Sequence, residues 1–246
     1  MYEFQSRVRY SETDEEGMLT ISALINYFQD CCSFQSEDIG RGVRYLREHA
    51  CAWVLGGWEI ALHRMPRYTE EIVIRTWPVD FKGFFGYRNF ELRTVSGECL
   101  AQASTTWIFV DTDSGRPQRV TEDMAQAYVC SPELPLERPK RHLKLDESGQ
   151  IYQCPPVTVL RGHLDTNHHM NNGQYVLIAQ ECMMQEAPPS GGRLCGLRVL
   201  YRKEAVLGDV LYPRVSVSGN RRQAELANDQ GQPYAIVEFE YMPCGQ

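Results

Sequence analysis

Leu164-Asp165-Thr166-Asn167-His168-His169-Met170-Asn171-Asn172-Gly173-Gln174-Tyr175 sets a carboxylate, an amide and an imidazole at alternate positions directly before a helix start. In an extended or open-turn segment, Asp165, Asn167 and His169 would all leave from one side of the backbone. Asn171 or Asn172 suits the helix N-cap, and Tyr175, Ile178, Ala179, Cys182 and Met183 follow as one apolar stripe, predicting a helix to about Gln185. Free N–H groups and the dipole at that helix start favour developing negative charge. On its own, such a cluster most often makes only a polar turn and a cap.

The beginning of the chain changes that weighting. Sliding Asp14 onto Asp165 also brings Gln29 onto Gln180, Asp30 onto Glu181 and Cys31 onto Cys182. The same slide lays the stripe of Leu24, Ile25, Phe28 and Cys31 or Cys32, on a helix capped by Thr20 and reaching about Ser33, over the later one. It also sets Glu16 on Asn167 and Met18 on His169, so the earlier copy keeps the turn and the helix without the amide or the imidazole. Internal duplication with one set of reactive groups predicts one active site per chain, the other copy serving to bind.

Around each predicted helix the strand signals fall in the same order. The first copy has Tyr2 to Tyr10 before its helix, then Trp53 to Leu62, Glu71 to Asp80, Phe84 to Val95 and Leu100 to Asp111, with a hairpin at Ser96-Gly97. The second has Val157 to Leu160, then Leu194 to Tyr201, Val210 to Ser218, Gln223 to Leu226 and Tyr234 to Tyr241. Each copy therefore reads as an α+β unit in which an antiparallel sheet wraps a long helix, burying the apolar face of both. The expected domains are 1–130 and 157–246. Residues 131–156, with five prolines around the charged run Glu137 to His142, are the expected linker.

Composition narrows the function. A chain of 246 residues with 43% hydrophobic and 23% charged residues can bury real cores. No apolar run is long enough to span a bilayer and the first residues lack a signal-peptide core, so the expected location is cytoplasmic, with no membrane partner. The net charge of −7 argues against nucleic acid as a partner. Nine scattered cysteines without a C-x-x-C pair read as reduced thiols. His163, His168, His169 and Asp165 are a poor metal set, because His168 and His169 are adjacent and would point to opposite sides of an extended segment.

Asp165-x-Asn167-x-His169-x-Asn171-Asn172-x-x-Tyr175, with Glu181 after it, resembles the acyl-acyl carrier protein thioesterases. Tyr201-Arg202-Lys203-Glu204 is similar to the second signature of that family, and Val8-Arg9-Tyr10-Ser11-Glu12-Thr13-Asp14 to its N-terminal segment. The resemblance covers nearly the whole chain and implies two tandem hotdog domains. It implies hydrolysis of acyl-acyl carrier protein to free fatty acid, as in fatty acid biosynthesis, with Asp165, Asn167, His169 and Glu204 as catalytic residues. The family commonly has cysteine after this glutamate, whereas this chain has Ala205, so activated water rather than a thiol is the expected nucleophile.

By that reading either Glu204 or Asp165 is the general base, His169 orients water and moves protons, and Asn167 positions the thioester. Backbone N–H groups at Asn171, Asn172 and Gly173 would hold the oxyanion. Tyr175, Trp53, Trp58 and Phe28 are expected against the acyl chain, although core packing suits them equally well. The resemblance implies an acidic carrier protein as partner, and Arg138, Lys140, Arg141, Arg202 and Lys203 are the expected docking cations. The substrate brings its own phosphopantetheine and no further cofactor is expected; the chain acts as monomer or homodimer. An acyl-coenzyme A thioesterase, a hotdog dehydratase and a non-catalytic acyl-binding protein are the competing readings.

Overall fold

Half-buried and exposed residues alternate along Tyr2–Arg7 (β1), the period of a strand with one face inward. A 3₁₀ turn at Tyr10–Glu12 leads to Thr20, whose hydroxyl accepts the Ala23 N–H and caps the long helix Ile21–Asp38 (α1). A short helix follows at Val43–Glu48 (α2). Four strands then run Cys51–Leu62 (β2), Glu71–Lys82 (β3), Phe85–Thr94 (β4) and Cys99–Asp111 (β5), and Glu122–Gln126 (α3) ends the series. The order in the sheet is β1-β3-β4-β5-β2, all antiparallel. Gly97, at φ +93°, closes the β4–β5 hairpin where the sequence expects it.

The computed structural model describes residues 1–186 and 192–242. They divide into two units, Met1–Pro139 and Lys140–Gln246. In the first, α1 packs on β3 and β1 and buries Leu24, Ile25, Phe28 and Cys31.

The second unit begins with Gln150–Gln153 (β6) and Val157–Thr158 (β7), then a 3₁₀ turn at Arg161–His163 and the helix Asn172–Glu186 (α4). Arg193–Tyr201 (β8), Val210–Ser218 (β9), Arg221–Ala227 (β10) and Pro233–Met242 (β11) follow. Here the order is β8-β11-β10-β9-β6, with β7 also on β9. Tyr175, Val176, Ala179 and Met183 of α4 are buried on β9, β10 and β11. Both units are thus antiparallel sheets around one long helix, the tandem hotdog arrangement.

Residues 131–156 do not stand apart as a linker. Up to Pro139 they cover the outer face of the first sheet: Pro132 O accepts the Trp77 indole N–H at 2.9 Å, and Leu134 N donates to the Asn89 side chain at 2.9 Å. Prolines keep this stretch extended without asking it to pair in a ladder. From Lys140 the chain belongs to the second unit, where Leu143 packs on Leu200 and Ile236 and β6 joins the edge of β9.

Candidate active site

Asp165 closes the turn before α4. Its N–H donates to His169 O at 2.8 Å, its carbonyl accepts from His168 N at 3.1 Å, and its Oδ1 accepts the N–H groups of Asn167 and His169 at 2.8 and 3.2 Å. His168 is forced to φ +63° at the tip. The segment is therefore a tight turn and not an extended run, so the alternation argument for Asp165, Asn167 and His169 does not hold. Asp165 spends an oxygen on the backbone, Asn167 is exposed, and His169 is half-buried.

The turn of the first unit is the same object. Asp14 N donates to Met18 O at 2.9 Å, and Asp14 Oδ1 accepts the N–H groups of Glu16 and Met18 at 3.0 and 2.9 Å. Gly17, at φ +73°, holds the place of His168 without strain. The correspondence extends to the strand-connecting loop: Leu19 N donates to Pro66 O at 2.9 Å, as Met170 N donates to Ala205 O at 2.8 Å. Met18 pairs with Arg67 as His169 pairs with Val206. By this register Met65 occupies the place of Glu204, so among the described residues the first unit has neither the imidazole nor the carboxylate that the second unit carries at these two places.

Glu204 lies on the backbone segment paired to His169 and Met170. Its carboxylate is exposed, and it adjoins Ala205, whose N–H donates to the Tyr175 hydroxyl at 2.8 Å. Burial pushes the Tyr175 phenol up to about 12; the Ala205 bond opposes this, and the Glu204 charge adds to it. A neutral Tyr175 hydroxyl thus anchors the loop that carries Glu204. Tyr201 OH, from the end of β8, donates to Asn172 O at 3.0 Å and ties the helix start to the sheet. Sequence reasoning gave Tyr175 a place in the core or against substrate and missed this anchoring bond, since spacing says nothing of where a hydroxyl points.

The helix N-terminus is partly used. Asn171 caps α4, its Oδ1 accepting the Gly173 N–H at 2.9 Å, while Asn171 N donates to His163 O at 2.8 Å. Of the three expected oxyanion donors, only the Asn172 N–H has no acceptor among the described residues.

Other expected residues are dispersed. Phe28 and Trp58 are wholly buried and pack with Phe90, their ring centroids 5.1 to 5.9 Å apart, as the core of the first unit. Of the four aromatic residues expected against an acyl chain, only Trp53 keeps partial exposure. Arg138 is no free docking cation: it lies in the first unit, paired to Glu133 at 2.6 Å and stacked 3.8 Å from the Tyr87 ring centroid. Lys140 lines a groove of about 330 Å³ with Lys144, Asp146 and Arg221, near the β9–β10 hairpin, and Arg141 is exposed beside it. Arg202 and Lys203 immediately precede Glu204 and are exposed.

A family model described as the acyl-ACP thioesterase N-terminal domain matches residues 1–128. The oleoyl-acyl carrier protein thioesterase 2 of Arabidopsis thaliana, a chloroplastic protein, is 26% identical over 221 residues, covering 83% of this chain and 59% of its own length. A dodecanoyl-[acyl-carrier-protein] hydrolase of Cinnamomum camphora, also chloroplastic, is 23% identical over 234 residues, covering 89% of this chain and 60% of its own. The chain thus spans about six-tenths of the length of these curated relatives. Among solved structures, an acyl-ACP thioesterase from Bacteroides thetaiotaomicron superposes with a TM-score of 0.85 at 22% identity, covering 98% of this chain and 97% of that one. The 12:0-ACP thioesterase of Umbellularia californica gives 0.85 at 19% identity, with 98% and 97% covered. At these identities the superpositions show a shared fold.

Proposed function

Because just over half of its length matches the family model, this chain belongs to the acyl-ACP thioesterase family, and we propose that it hydrolyses acyl-acyl carrier protein to free fatty acid and carrier. The observation that carries this reading is the pairing of His169 with Val206 and of Met170 with Ala205. It supports a carboxylate and an imidazole working from adjoining backbone segments at the start of α4.

Glu204 takes a proton from water as His169 orients it, and the hydroxide formed attacks the thioester carbon. The carbonyl oxygen gains a full negative charge, which the Asn172 N–H and the positive end of α4 stabilise. Collapse of that intermediate restores the carbonyl and breaks the carbon–sulfur bond. The thiolate leaves with the proton returned through His169. Asn167 contacts the thioester, and Asp165 holds the turn. Ala205 offers no thiol, so the acyl group passes directly to water. No resident cofactor enters the scheme, since the phosphopantetheine arm arrives with the substrate.

Purified protein incubated with acyl-acyl carrier protein should release the free acid, with acyl-coenzyme A as the competing carrier in a parallel assay. Glu204→Gln and His169→Ala should each lower turnover by about 10²–10⁴-fold, the range for lost acid–base help, without changing the circular dichroism spectrum. Wild-type turnover in both variants would remove the assignment.

A further inference from the structure

Leu160, Val206 and Leu207 form an exposed apolar patch beside the candidate site, with 58%, 44% and 46% of their surfaces open. The backbone makes them contiguous. Val159 exchanges bonds with Gly208 and Asp209, which sets Leu160 across from Leu207, and Val206 pairs with His169. Large apolar side chains on adjoining paired segments are a surface awaiting a partner more often than scattered exposed residues are. Arg161 follows Leu160, and Arg202 and Lys203 lie on the loop that leads to Val206. None of these three cations has a carboxylate partner among the described residues; Lys203 lies 5.6 Å from the Tyr234 ring centroid.

Acidic groups nearby do not cancel this charge in full. The carboxylates of Asp165 and Asp209 accept backbone N–H groups, of Asn167 and His169 and of Val206, which leaves Glu204 as the exposed carboxylate of the loop. The first unit supplies an internal comparison. Arg64, in the place of Lys203, is held by Glu70 at 2.7 Å and Glu98 at 2.6 Å; Arg9, in the place of Leu160, is held by Glu12 at 2.8 Å. There Tyr68, in the place of Leu207, packs edge-on to Tyr10. At the places of Lys203 and Leu160 the first copy thus pairs its cations with carboxylates, whereas the second sets Arg161, Arg202 and Lys203 around aliphatic side chains without carboxylate partners among the described residues.

We propose that Leu160, Val206 and Leu207, rimmed by Arg161, Arg202 and Lys203, are the docking surface for an acidic protein that presents carboxylates around an apolar residue, the carrier protein of the proposed reaction. The inference rests on that reading for the partner's identity. Opposite charges at the rim align the partner and speed encounter, and the apolar centre holds it. Val206 shares its backbone pairing with His169, so docking here delivers the substrate arm to the reactive pair.

Two measurements keep this inference separate from the hydrolase reading. Binding of labelled holo acyl carrier protein, followed by fluorescence anisotropy, reports the surface; hydrolysis of an acyl-N-acetylcysteamine thioester reports the chemistry. Leu160→Asp with Leu207→Asp should weaken carrier binding at least about tenfold and leave hydrolysis of the small thioester within about twofold of wild type. Arg161→Glu with Arg202→Glu and Lys203→Glu should also weaken binding at least about tenfold, and added salt should weaken wild-type binding. This second variant decides the matter by binding alone if the first fails to fold. Unchanged binding in a folded variant, no binding by the wild type, or an equal loss on the small thioester would overturn the docking surface. Failure of the wild type to hydrolyse any thioester would instead overturn the proposed reaction, with the binding result still standing for or against the surface.

Discussion

Asp165 shows how a residue in a reactive motif can serve the skeleton. Its partner in the other copy, Asp14, makes the same two carboxylate-to-backbone bonds where Met18 and Met65 stand in the places of His169 and Glu204. A role kept in the copy that lacks the imidazole belongs to the turn. Asparagine offers the same side-chain oxygen to those N–H groups, so Asp165→Asn should keep the fold and most of the activity. Asp165→Ala, which strips an acceptor from two donors, should lower stability by about 1–3 kcal/mol. Thermal melts with turnover assays check both; near-complete loss of turnover in a stable Asp165→Asn would return the base role to this carboxylate. The signal for the distinction was already in the sequence, since the slide that matched Asp14 to Asp165 also matched Met18 to His169. What spacing could not give was the tightness of the turn, because that depends on His168 accepting a left-handed backbone.

Regular elements were the most legible part of the chain. β9 runs over the residues its pattern indicates, and β2, β3, β4, β5 and β8 differ from expectation by one or two residues at an end. α1 runs beyond Ser33 to Asp38 because Gln35 continues the buried face as a polar residue, bonded to the buried Arg88; a stripe read from apolar residues stops before it. The short helices α2 and α3 and the strand β6 were missed. Six, five and four residues are too few for a periodic pattern to declare itself. Thr20 was read correctly as a cap, and Thr20→Ala should cost about 1 kcal/mol of stability while thioester turnover stays at the wild-type rate. Chemical denaturation with a turnover assay tests this, and a fall in turnover without a fall in stability would contradict it.

For the whole molecule, the duplicated order of elements was readable and the seam between the units was not. Proline-rich composition suggested a free linker, but Trp77 and Asn89 on the outer face of the first sheet, and the edge of β9 in the second, each claim part of that stretch. No helix among the described residues is long and apolar enough to cross a membrane. Alkaline pH should weaken the fold, and three groups of the second unit show why. Burial pushes Tyr175 and Tyr241 up from 10.0, and Cys154 up from 9.0, each to about 12. Below about pH 9 both folded and unfolded chains hold these protons, and between about pH 9 and 12 the unfolded chain releases protons that the fold retains. Stability should therefore fall as pH rises through that window, seen as a declining melting midpoint; a flat midpoint to about pH 11 would contradict it. The twin turns at Asp14 and Asp165 also bear on engineering. Since their backbone bonds already coincide, grafting an imidazole at Met18 and a carboxylate at Met65 is an exchange of side chains on a ready frame, and Gly17 spares the graft the torsional burden that His168 carries.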